Sequence, residues 1–301
     1  MMKRNVRIAF AVLFVMTLLA LSSPLVAQTI PPGGAPGEEK QEKGLTWRER
    51  FEGSSSQDGQ VMVLNSSFGY NLNKFFGWDV GVPVFFLRQA SRTTGTGTNS
   101  VNGIGNVYTD LRLNAPNPLL NYSSSITVAA PTGDTTKGLS SGRITVDWDN
   151  RVDRSFGQLT PFFDAGVGNS ISDTRFFRRP FITLGPVAHF EGGVDIGILK
   201  LLTFTASAYD IQPWGTQRVF SRVQTTTTTT TRGRVFETSR ETLGTADLTR
   251  DHGFTAGLSL SMFKYVALDV GYTRSIRFAL DTVSFGIGFD LTPLVRHKPS
   301  P

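Results

Sequence analysis

Arg143-Ile-Thr-Val-Asp-Trp-Asp-Asn-Arg151 decides the fold: Ile144, Val146 and Trp148 take every second position, and Arg143, Thr145, Asp147, Asp149 and Arg151 fill the gaps. Strand side chains alternate between two faces, so this segment carries one apolar face and one almost wholly charged face. Standing alone, it would fit a soluble sheet with its apolar side in a core. It does not stand alone.

Around it the same alternation recurs. Residues 106–114 set Val107, Thr109, Leu111 and Leu113 against Tyr108, Asp110 and Arg112. Residues 159–168 set Phe163, Ala165 and Val167 against Phe162, Asp164, Gly166 and Gly168, and residues 188–196 alternate Ala188, Phe190, Gly192, Val194 and Ile196 with His189, Glu191, Gly193 and Asp195. Residues 45–54, 60–71, 78–84, 121–130, 202–209, 254–262, 266–272 and 283–291 complete the series, the last being the cleanest. In the first of these Glu49 falls on the parity of Trp47 and Phe51, and in the third Pro83 sits where a paired strand normally excludes proline, marking a bulge or a donor that faces away from the ladder.

The connections alternate too. Short turns at 72–74, 115–118, 155–157, 199–200 and 263–265 interleave with long polar loops at 89–102, 131–141, 169–183 and 212–251. Roughly twelve strands of about ten residues, joined in this way, predict an all-β protein: a transmembrane antiparallel β-barrel of about 12 strands, with periplasmic termini and long extracellular loops.

Residues 1–27 carry a basic start (Lys3, Arg4, Arg7), an apolar run over 8–21 and small residues before Gln28, the pattern of a signal peptide, although Leu25 departs from the small-x-small cleavage rule. An uncleaved anchor is the alternative. No second long apolar run follows, so a bundle of spanning helices is excluded. Residues 28–44 read as a solvated periplasmic tail, with a lumen plug or a peptidoglycan contact as the alternative, 45–291 as the barrel and 292–301 as a C-terminal tail. The chain has 0 cysteines, which removes disulfides and thiolate metal sites and suits a Gram-negative envelope. Its formal charge of +6 falls to about +3 without the three basic residues of the signal, so nucleic acid is not implied.

The same parity assigns the lumen-lining residues: Asp79, Asp110, Arg112, Arg143, Asp147, Asp149, Arg151, Asp164, His189, Glu191, Asp195 and Asp269. No soluble core holds that many charges, because each buried ion costs several kcal/mol unless paired. A sandwich with these faces in solvent is the structural alternative. Gly166, Gly168, Gly193 and Gly271 face inward and leave room, and the mixed charges serve either a polar path or cross-lumen ion pairs that plug it.

No catalytic, cofactor-binding or metal site is expected. His189 has Val187 and Glu191 as same-face neighbours rather than a serine, and Asp147 and Asp149 beside Arg143 and Arg151 read as a salt-bridged wall rather than a metal or acid/base pair. Partners expected from the pattern are outer-membrane lipid and a small-molecule solute. The arginines of the two longest loops (Arg175, Arg178 and Arg179; Arg218, Arg222, Arg232, Arg234, Arg240 and Arg250) are candidates to meet lipopolysaccharide phosphates or acidic solutes, or are simply solvated. The threonine tract 225–231 favours extended backbone and predicts a projecting hairpin.

Gly103-Ile-Gly-Asn-Val-Tyr-Thr-Asp-Leu-Arg-Leu113, Ile126-Thr-Val-Ala-Ala-Pro-Thr-Gly-Asp134, Lys137-Gly-Leu139 and Ser141-Gly142 resemble the outer-membrane family named for the MetA pathway of phenol degradation. The resemblance is strongest over 103–168 and implies a barrel that passes hydrophobic or aromatic compounds. The expected function is passive passage of small molecules; the rival is a closed structural or adhesion barrel that binds partners through its longest loop. Such barrels usually end on an aromatic strand residue, whereas here Phe289 and Leu291 are followed by residues 292–301, a tail whose removal is expected to leave assembly intact.

Overall fold

The structure, a computed structural model, describes residues 42–89, 100–117, 119–223, 240–262 and 265–295. The expected signal peptide, nearly all of the expected N-terminal tail, the threonine tract, Arg232, Arg234 and the end of the C-terminal tail lie outside the described residues.

Sixteen strands occur in the described chain: β1 (Gly44–Ser56), β2 (Gly59–Asn71), β3 (Phe76–Gln89), β4 (Ser100–Ile104), β5 (Tyr108–Ala115), β6 (Asn121–Ala129), β7 (Thr145–Asp153) and β8 (Leu159–Gly168). There follow β9 (Phe181–Leu184), β10 (Val187–Leu199), β11 (Leu202–Pro213), β12 (Gln217–Ser221), β13 (Glu241–Gly244), β14 (Asp251–Met262), β15 (Val266–Ser275) and β16 (Leu280–Asp290). Twelve of them close an antiparallel barrel in the order β1, β2, β3, β5, β6, β7, β8, β10, β11, β14, β15, β16, with β16 returning to β1. Closure leaves no unpaired sheet edge, the condition for crossing hydrocarbon with strands. The remaining strands decorate one end: β4 extends β5 along the upper part of β3, and β9, β12 and β13 form a small separate sheet.

Burial is inverted relative to a soluble protein. Along β15, Val270 is 54% exposed while Asp269 is 2% and Thr273 0% exposed. Trp78, Leu111, Ile126, Trp148, Phe163, Phe190, Leu258, Val283 and Phe285 continue the exposed apolar belt around the other strands. An apolar exterior over a polar interior is a lipid-facing barrel, so hydrocarbon takes the place of a core. The outward Glu49 is accommodated by local donors: the Trp47 indole at 2.7 Å and the Ser66 hydroxyl at 2.6 Å. Replacing the outward Phe289 by Asp would set a second carboxylate directly opposite Glu49 and is expected to reduce the yield of folded barrel to a small fraction of wild type. Heat-modifiable gel migration reads this directly.

Pro83 marks an irregularity in the wall. β4 and β5 both pair with β3, and between them Gly105, Asn106 and Val107 stand opposite only Val82 and Pro83, a β-bulge by count. The Pro83 carbonyl still accepts from Gly105 N–H at 2.8 Å. The segment after β6 satisfies the bulge: Thr132 Oγ1 accepts from Val107 N–H at 2.8 Å and donates to the Gly105 carbonyl at 3.1 Å, and Gly133 N–H donates to Asn106 Oδ1 at 3.2 Å. The two sequence blocks that carry the family resemblance therefore meet in space.

The decisive strand is shifted by two residues. Its ladder runs over Thr145–Asp153, and Arg143 and Ile144 lie in the bend before it. The Asn169 side chain replaces the ladder there, accepting from Val146 N–H at 2.8 Å and donating to the Ile144 carbonyl at 3.1 Å. At the other end of the barrel Thr292 belongs to the fold rather than to a free tail: it is buried, and its hydroxyl accepts from Trp47 N–H at 3.2 Å. Truncation after Val295 is expected to leave the thermal midpoint unchanged, whereas Thr292→Val lowers stability by about 1 kcal/mol, the worth of one hydrogen bond.

Candidate functional site

The inward face divides into two sides. On one, Asp79 and Asp110 stand directly opposite each other on β3 and β5, and like charges so placed repel. Arg112 relieves this at 2.8 Å from Asp79 and 3.9 Å from Asp110, with Arg48 at 3.8 Å from Asp79. Thr46 donates to Asp79 at 3.1 Å, and Gly69 beneath it provides the space, since a Cβ there would strike the carboxylate. Farther round, Arg50 pairs with Glu52 and, at 2.6 Å, with Asp269.

On the other side lies a cavity of about 710 Å³. Asp147, Asp149, Arg151, Asp164, His189, Glu191 and Asp195 line it, and it reaches from Gln158, Leu199 and Lys200, at the turns on the terminal end, up to residues 171–176. Arg151 is its hub: 3.1 Å from Asp164, 3.2 Å from Asp195 and 3.7 Å from Asp153, with its guanidinium 3.9 Å above the Phe162 ring. His189 Nε2 lies 2.9 Å from Asp147 and Nδ1 3.9 Å from Asp149. Ser172 Oγ donates to Asp147 at 2.8 Å, which puts the carboxylate between serine and imidazole, an order that does not activate a nucleophile. Glu191 stands opposite Asp164 in register and bonds the Ser207 hydroxyl at 2.5 Å. Among the described residues no cluster of three or more His, Asp or Glu is suited to a metal.

Of the twelve residues that parity assigned to the lumen, Arg143 is the exception, exposed in its bend because the ladder starts after it. The other eleven lie on strand positions that alternate with the exposed apolar belt. Sequence reasoning missed Arg48, Arg50 and Glu52, which share the inward parity of β1 opposite Trp47 and Phe51; that alternation was the signal available.

The larger omission is the loop over 169–180. It does not project outward; it folds into the barrel. Arg175 pairs with Asp269 and the Ser259 hydroxyl, and Arg178 with Glu52, while Arg178 N–H donates to Ser54 Oγ at 2.9 Å. Burial lowers the pKa of the Arg178 guanidinium to about 9, and Arg50, Arg222 and Arg179 push the same way. Arg222 follows it inward, 2.8 Å from Asp173 and bonded to the Arg179 carbonyl at 2.9 Å. Arg179 and Arg222 are thus buried, and Arg175 and Arg178 partly buried, around the lumen rather than offered to lipopolysaccharide or an external solute. Arg218, paired with Glu241 at 3.0 Å, stays on the exposed surface. Three small apolar clusters pack the same end: Phe177 with Phe181, Val219, Phe278 and Leu280; Leu139 with Val61, Val63, Phe85 and Leu87; Ile171 with Val187, Tyr209 and Ile211.

Comparison with solved structures matches this architecture to the COG4313 outer membrane channel from Pseudomonas putida F1, with a TM-score of 0.58 at 12% identity over 87% of this chain and 100% of that one. The fold is that of an outer-membrane β-barrel. The NanC porin (TM-score 0.47, 8% identity, covering 81% of this chain and 100% of the porin) and the KdgM porin (0.44, 12%, 81% and 98%) are more distant matches. No family model and no curated protein matches the sequence.

Proposed function

We propose that this chain is a passive channel of the outer membrane for small molecules, with its termini in the periplasm and its long loops outside. The cavity of about 710 Å³ carries the reading: a polar, charge-lined space inside a closed barrel whose exterior is apolar. An interior of this strand number exceeds the side-chain-filled barrel of eight strands and falls short of an open porin, which suits a narrow path. Phe162, Phe176 and Tyr209 put rings among the carboxylates, surfaces along which the hydrophobic or aromatic solutes implied by the family resemblance would pass. The loop across the lumen favours the rival, a closed barrel acting through its surface.

Planar-bilayer recording separates the two. The mature protein is expected to give discrete conductance steps, and Asp147→Lys/Asp149→Lys to shift its cation-over-anion preference downward about threefold or more, since both carboxylates line the cavity. A folded, heat-modifiable barrel that stays silent, both as wild type and with residues 170–179 deleted, would favour the closed reading.

A further inference from the structure

We propose that residues 169–180 form a gate, latched against the inner wall by Phe176 in a seat made by Gly257 and Gly271; this rests on the channel reading above. Those glycines are register partners on β14 and β15 and face inward. A Cβ added at either would run into the Phe176 ring. Glycine in a strand interior weakens the strand and often marks close approach of another group. Two side by side under one ring form a receptacle for it.

Ile171 and Phe177 pack into apolar clusters near the two ends of the loop, and its middle is held to the wall by side chains of the barrel. Thr273 donates to the Phe176 carbonyl at 3.1 Å, Ser54 accepts from Arg178 N–H, Glu52 holds Arg178, and Asp269 and Ser259 hold Arg175. Within the loop the backbone closes on itself through the bridge between Thr174 and Phe177, so its middle can leave the wall while Asn169 stays bonded to Val146 and Pro180 to Arg222 and Val223. The latch is also divided against itself. Arg50, Arg175 and Arg178 converge on two carboxylates, Glu52 and Asp269, so attraction to the wall is opposed by repulsion among the arginines.

Consequences for the path follow from position. Seated, residues 171–176 wall the cavity beside β7, β8, β10 and β11, and Arg175 and Arg178 reach across to β15 and β1. Released, the loop joins the two sides into one lumen. A gate differs from a fixed plug in having a second state that a ligand or a substitution can populate.

The test is single-channel recording of the full mature protein, each form first checked for heat-modifiable migration. Gly271→Val and Gly257→Val, substitutions that strands tolerate well, should evict the ring and raise the time spent in the larger conductance state about tenfold. As a second, independent handle, Ser54→Cys/Arg178→Cys places a thiol on each side of the latch in a chain otherwise free of cysteine. Oxidised, this variant should hold the small or closed state; reduction should switch it to the large one reversibly. Conductance equal to wild type in the valine variants, and equal before and after reduction of the tethered one, would overturn the gate while leaving the channel intact. Silence in every form would overturn both.

Discussion

Arg151→Met should lower the stability of the barrel by about 3 kcal/mol, because breaking a buried ion pair by removing one partner leaves the other charge uncompensated. Here the removal leaves three carboxylates, Asp153, Asp164 and Asp195, within a few ångströms of one another's former counterion. Methionine retains the apolar stem over Phe162, so the loss reports charge rather than packing. The side chain is about one-tenth exposed, too little for solvent to screen the effect away. Thermal loss of heat-modifiable migration measures the cost. Adding Asp164→Asn and Asp195→Asn should restore most of it, a non-additivity expected only for groups in one network. An unchanged midpoint in Arg151→Met would mean that water in the cavity already carries the charges and that Arg151 is no hub.

That network was legible because strand parity has a period of two. Once Trp148 faces lipid, Asp147, Asp149 and Arg151 must share the other side, and register across β7, β8 and β10 brings Arg151, Asp164 and Glu191 into one row. Parity could not reveal where a loop goes. Arg175 and Arg178 look like any polar loop residues until Asp269 and Glu52 are known to wait for them, and those partners lie far away in the chain. A weaker trace existed: Gly257 and Gly271 occupy inward positions where a strand gains nothing from glycine, and the inward carboxylates outnumber the inward bases. The strand limits failed where side chains imitate the ladder, as Asn169 does beside Ile144 and Val146, and where a bulge opposite Pro83 splits one strand into β4 and β5.

The blocks 103–113 and 131–142 should prove to be a docking device for the mouth of the barrel, and Gly138→Val tests it most severely. Gly138 has φ +70°, a conformation that costs a β-branched residue at least about 1–2 kcal/mol, and a Cβ there would also collide with the Ser221 carbonyl. Its neighbour Leu139 is 1% exposed among Val61, Val63, Phe85 and Leu87, positions on the inner face of β2 and β3. The turn that presents Leu139 is held by its N–H on the Asp134 carbonyl at 3.0 Å and by Thr136, whose N–H and hydroxyl both donate to the Asp134 side chain. Leu139→Ala removes the anchor and should weaken docking by about 3 kcal/mol, the cost of truncating a buried leucine. Both variants act through the same seated state, so the double variant should be little worse than Gly138→Val alone. Amide hydrogen exchange of residues 134–142 reads the docking directly: loss of protection confined to this segment and β4, with the barrel strands unaffected, is the expected pattern. Protection kept in Gly138→Val would show that the loop tolerates another backbone conformation, and fully additive losses would show that Gly138 and Leu139 hold different things.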